Sequence, residues 1–117
     1  MAEMITVTAE NFDREILQSD SPAAVMFKSV GCPHCAVMKP GMEKIAGEYA
    51  GRLKTAIADV IKVHERAIQY GILSVPQVLF FKGGEKVDEI VGAVPKSKVV
   101  KKVKRLLEVE SYEETGS

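Results

Sequence analysis

The chain has 117 residues, 46% of them hydrophobic and 27% charged, the balance of an ordinary single globular domain long enough to bury one core. Sixteen Lys and Arg offset sixteen Asp and Glu, so no net field directs the chain to nucleic acid or to an anionic membrane surface. No apolar run approaches the ~20 residues of a membrane span, and Met1-Ala2-Glu3-Met4 has neither the basic nor the apolar region of a secretory signal, so a cytosolic chain is expected.

Ile5-Thr6-Val7 reads as a short edge strand. Thr8 to Gln18 reads as a helix with Phe12, Ile16 and Leu17 on one face, broken by Ser19-Asp20-Ser21-Pro22. Ala23 to Phe27 is apolar without alternation, the pattern of a strand buried on both faces. A helix is expected from Pro33 to about Ala50, with Met38, Met42, Ile45, Ala46 and Tyr49 at helical spacing and a kink at Pro40. Leu53 to Val60 is a third strand, and Lys62 to Tyr70 a short helix stopped by Gly71. Val78 to Phe81 and Lys86 to Val91 flank Gly83-Gly84 and form an antiparallel hairpin. The last helix, Pro95 to about Val109, sets Val99, Val100, Val103, Leu106 and Leu107 on one face. Its Lys98, Lys101, Lys102, Lys104 and Arg105 then form the solvated face rather than a nucleic-acid patch. Residues 1–110 thus make one domain, and 111–117 a flexible acidic tail. The order β-α-β-α-β-α-β-β-α implies an α/β fold, a mixed sheet with helices on both faces.

The only cysteines lie in Cys32-Pro33-His34-Cys35, after the second strand and at the start of the second helix. In that position Cys32 is the helix N-cap and Pro33 takes the first helical position, where its missing N–H costs nothing. The Cys32 sulfur can accept from the N–H groups of His34 and Cys35, and the helix dipole adds positive potential. Both effects favour a Cys32 thiolate, the nucleophile of disulfide exchange. Three other readings fit the cysteines less well. A structural disulfide closing so short a loop would constrain the unfolded chain little. A zinc or iron site needs about four ligands, and only His34 is near, with His64 far along the chain. Two inert buried thiols would not need a helix start. A strand-to-helix junction at the carboxyl end of a sheet is also where open α/β sheets place their sites.

From about Met4 to Leu107 the chain resembles the thioredoxin family. The resemblance rests on the C-x-x-C after the second strand, Pro40 in the same helix and Tyr70-Gly71-Ile72 leading to Val75-Pro76. Phe80-Phe81-Lys82-Gly83-Gly84-Glu85 and Val91-Gly92-Ala93 fit the family's last hairpin. The resemblance implies a thioredoxin fold, a five-stranded mixed sheet flanked by four helices. It implies Cys32 as attacking thiolate, Cys35 as resolving thiol, and a cis Pro76 that shapes the substrate groove and keeps metal ions off the pair. Val75 would offer a strand-like edge to substrate, with Gly31, Gly92 and Ala93 beside it. No cofactor is implied beyond the redox disulfide. The implied partners are protein disulfides and a flavoprotein thioredoxin reductase, with the chain acting as a monomer.

The departures from the family pattern carry information of their own. Gly31-Cys32-Pro33-His34-Cys35 replaces the usual Trp-Cys-Gly-Pro-Cys, and the chain has no Trp. Met26 stands where the family keeps a buried Asp, and Ile57 where it keeps a Lys, so both members of a charged pair are gone together. Lys28 takes the place of an aromatic residue, near enough in sequence to bias the site. C-P-H-C is also the motif of the DsbA family of periplasmic disulfide-forming oxidases, in which the histidine stabilises the thiolate. Pro33, His34 and Lys28 are therefore expected to tune the pair toward a more oxidising potential. Protein-disulfide reduction is the expected activity. The alternatives are a DsbA-like oxidase or isomerase, or a non-catalytic binding module or chaperone.

Overall fold

The structure, a computed structural model, describes residues 4–108; the acidic tail expected at 111–117 lies outside the described residues. Five strands, β1 (Ile5–Val7), β2 (Ala23–Lys28), β3 (Lys54–Asp59), β4 (Gln77–Lys82) and β5 (Glu85–Val91), form one sheet in the order β1-β3-β2-β4-β5. Pairing is parallel between β1 and β3 and between β3 and β2, and antiparallel from β2 through β4 to β5. Three α-helices, α1 (Pro33–Glu48), α2 (His64–Gln69) and α3 (Lys96–Glu108), and one π-helical turn, Asp13–Leu17, cover the sheet. This is the mixed α/β arrangement expected from the sequence.

The side-chain period of two explains the unalternating apolar runs. Along β2, Ala24 and Met26 face α1 and α3, while Ala23, Val25 and Phe27 face the π turn and α2. On β4, Val78 and Phe80 join the first core and Leu79 and Phe81 the second. Met38, Met42 and Ile45 of α1 and Val99, Val103 and Leu106 of α3 close the first core. Phe12, Ile16 and Val63 close the other. Both central strands are thus covered on both faces, which fixes their register against slippage.

One expectation needs correction. The helix expected over Thr8 to Gln18 takes π-helical form over Asp13–Leu17. Asn11 Oδ1 accepts from the Thr8 N–H at 2.7 Å and Thr8 Oγ1 accepts from the Asn11 N–H at 3.3 Å. This reciprocal capping, with the Phe12 N–H bonded to Thr8 O at 3.0 Å, starts the segment at Thr8 as expected, and the departure lies in the bonding register that follows. The Gln18 N–H then bonds Asp13 O, five residues back, at 2.8 Å. Phe12 and Ile16 are buried as expected, and Leu17 is only partly so. The basic face of α3 is as expected. It is largely solvated, and Lys102 bonds Asp88 at 2.8 Å and ties the helix to β5. Elsewhere the elements match to within three residues at each end, and α1 runs unbroken through Pro40.

Candidate active site

β2 ends at Lys28, and Ser29-Val30-Gly31 leads into α1. Gly31 takes φ +77°, the left-handed region that a side chain would oppose. Cys32 is extended (φ −91°, ψ 107°) and caps α1: its Sγ accepts from the Cys35 N–H at 3.2 Å, and Pro33 opens the helix. The sequence expected His34 N–H to share this role; only the Cys35 bond is formed. Cys32 and Cys35 are joined as a disulfide with Cα atoms 5.3 Å apart. Cys35 is buried, whereas Cys32 remains partly accessible and His34 is exposed. That asymmetry is what a nucleophile and a resolving thiol require.

The Val75–Pro76 bond is cis, as the resemblance implied. Val75 O lies 3.9 Å from Cys32 Sγ, so residues 43 positions apart meet at the sulfur. The Gly92 N–H donates to Pro76 O at 2.9 Å, and Gly92 has φ +92°. Gly92 is thereby drawn to the same loop, and Ala93 follows it as an exposed residue. The fold thus gathers Cys32, Val75, Pro76 and Gly92 at one end of the sheet.

On the other side of the pair, a cleft of about 520 Å³ is lined by Cys32 and Cys35, by Met26 and Ile57, and by Lys28 and Lys39. Met26 is fully buried and is the register partner of Ile57 across β2 and β3. The two residues that replace the family's charged pair therefore sit side by side, and their pairing is apolar. Lys28 is tied to Asp59, one strand over, at 3.6 Å. The Ile61 N–H (2.9 Å) holds the Asp59 carboxyl below the ordinary aspartate range, against the effect of its burial, and the Lys28 ammonium adds to the lowering. Among the described residues no group of three or more His, Cys, Asp or Glu could hold a metal. Nor is any described helix long and apolar enough to cross a membrane.

Lys39 and Asp59 were not singled out in the sequence. Lys39 was legible, since it falls one helical turn after Cys35 and so shares its side of α1. Asp59 was not, because its approach to Lys28 depends on the register of two parallel strands.

A dithiol–disulfide pair at the strand-to-helix junction of such a sheet makes this chain a thiol–disulfide oxidoreductase. The sequence profile of the family described as Thioredoxin matches residues 3–105. The chain is 43% identical over 96 residues to Thioredoxin 2 of Chlorobaculum tepidum, covering 82% of this chain and 88% of that one. It is 40% identical over 97 residues to Thioredoxin 1 of Nostoc sp., covering 83% and 91%. The chloroplastic Thioredoxin M-type of Chlamydomonas reinhardtii is 37% identical over 106 residues, covering 91% and 76%. The chain belongs to the thioredoxin family.

Proposed function

We propose that the chain reduces disulfides in other proteins, with Cys32 as nucleophile and Cys35 as resolving thiol. The observation that carries this reading is the capped, partly accessible Cys32 sulfur beside Val75 O, with Cys35 buried behind it. Cys32 thiolate attacks a substrate disulfide, forms a mixed disulfide and expels one substrate thiolate, which takes a proton. Cys35 thiolate then attacks Cys32 Sγ, releases the second substrate thiol and closes the Cys32–Cys35 disulfide. Two electrons pass from the protein to the substrate. Val75 and Pro76 form the edge along which an extended substrate segment lies, with Gly31, Gly92 and Ala93 at its margins. His34 and Lys28 bias the pair toward the thiolate. A flavoprotein thioredoxin reductase, acting on a monomer in the cytosol, returns the electrons.

The Cys32-Pro33-His34-Cys35 motif supports a second reading, net oxidation or isomerisation of substrate thiols, because a stabilised thiolate raises the reduction potential. Equilibration with glutathione decides the available direction. Reduction of insulin disulfides by dithiothreitol tests turnover itself. Wild type should accelerate it, Cys32→Ser should not, and Cys35→Ser should accumulate a mixed disulfide. Equal activity of wild type and Cys32→Ser would overturn the enzymatic reading in favour of a binding module.

A further inference from the structure

The cleft beside the cysteine pair has a chemistry that protein-disulfide reduction does not account for. Its floor is apolar, formed by Met26 and Ile57, and one wall is the redox pair itself. The charged residues lining it are Lys28 and Lys39, with no Asp or Glu among the lining residues. Asp59 partly offsets Lys28. Lys39 is exposed and makes no ion pair among the described residues, so its charge acts on whatever enters the cleft. The chain as a whole carries no net charge, so the excess of lysine over carboxylate among the lining residues is local to this cleft. Cationic groups around a low-dielectric floor concentrate anions at the mouth. At about 520 Å³ the space falls within the range that small-molecule sites occupy, ~300–1,000 Å³.

We propose that this cleft binds carboxylate-bearing, low-molecular-mass disulfides and presents them to Cys32, with Lys39 as the residue that selects their charge. The proposal rests on the reading of Cys32 as nucleophile. Cys32 thiolate attacks one sulfur of the small disulfide, and the first small thiolate leaves and takes a proton. Cys35 thiolate then displaces the second and closes the protein disulfide. The small disulfide gains two electrons and two protons and becomes two thiols; the protein dithiol loses the same. Carboxylates of the bound half lie toward Lys39, while its apolar atoms cover Ile57.

The test uses the reduced full chain and three disulfides: glutathione disulfide (anionic), hydroxyethyl disulfide (neutral) and cystamine (cationic). The quantity read is the ratio of the glutathione-disulfide rate to the cystamine rate. Comparing variants with wild type cancels the intrinsic leaving-group differences and any change in the Cys32 thiolate, which act on every substrate. The ratio should fall about fivefold in Lys39→Gln and further in Lys39→Glu, and the wild-type ratio should fall as salt is raised. Lys104→Gln removes the same charge from the exposed side of α3 and should leave the ratio near its wild-type value. A ratio that is the same in wild type and Lys39→Glu, or that shifts equally in Lys104→Gln, overturns the cleft proposal. In those cases continued exchange with hydroxyethyl disulfide leaves the reading of Cys32 standing. Exchange with none of the three disulfides overturns that reading as well.

Discussion

Cys32 is the cap of α1, and in the proposed reaction it is also the nucleophile, so that the two roles reinforce each other. The N–H that it accepts from Cys35 stabilises negative charge on sulfur, and the helix dipole acts in the same direction. Lowering the thiol pKa by one unit, while it stays below ambient pH, favours the reduced state by ~1.4 kcal/mol. For a two-electron couple that is about 30 mV. The Pro33→Gly, His34→Pro double variant should therefore show a lower reduction potential against glutathione, and an unchanged value would remove His34 and Pro33 from the tuning. Asp59 gives a second prediction. Its folded pKa lies below its unfolded value, so the stability it contributes is present above the unfolded pKa and lost as pH falls through the folded one. Asp59→Asn should weaken the protein at pH 7, and the gap from wild type should begin to narrow as pH falls below about 4. Urea unfolding at pH 7 and pH 3 measures the narrowing, and a gap as wide at pH 3 as at pH 7 would contradict it.

Among the elements, the β4–β5 hairpin and the π turn constrain one another. Gly83 and Gly84 both take positive φ, +62° and +81°, the pattern of a two-residue turn whose twist matches its strands. At Gly83 a Cβ would meet nothing, so Gly83→Ala should cost only the left-handed penalty, about 1–2 kcal/mol. At Gly84 a Cβ would sit 2.6 Å from Leu17 O, in the backbone of the π turn. Gly84→Ala should therefore destabilise clearly more than Gly83→Ala in denaturant titrations, because a backbone segment must move. Phe12 holds the same turn from below. It is fully buried, with its ring 6.1 Å from Tyr70 and 6.2 Å from Phe81. Phe12→Ala should cost ~3–5 kcal/mol. The segment expected as a helix from Thr8 does begin there, with Phe12 N–H bonded to Thr8 O, but it widens to five-residue bonds by Gln18, a register that apolar spacing does not report. The spacing of Phe12 and Ile16 did not depend on which form was adopted.

For the molecule as a whole, redox state and stability are linked by one thermodynamic cycle. Whatever makes the folded pair more oxidising stabilises the reduced fold relative to the oxidised one. The excess of the oxidised over the reduced Tm should be smaller in wild type than in the Pro33→Gly, His34→Pro variant; an equal or larger excess would contradict the tuning argued for the motif. The sequence by itself determined the elements, apart from the form of the first helix, together with the α/β order and the cysteine pair at a helix start, because periodicity, turn residues and helix-start chemistry are local properties. The removal of both members of the family's charged pair was also legible as Met26 and Ile57. Tertiary structure alone decided what surrounds the pair. The pairing of β2 with β3 joined Lys28 to Asp59 and set Met26 beside Ile57. The loop before β4 brought Val75 to Cys32 across 43 positions of chain. The same packing left Lys39 with no ion pair among the described residues, on a cleft with an apolar floor. Contacts of this kind depend on strand register and on which faces pack together, and no window of sequence encodes either.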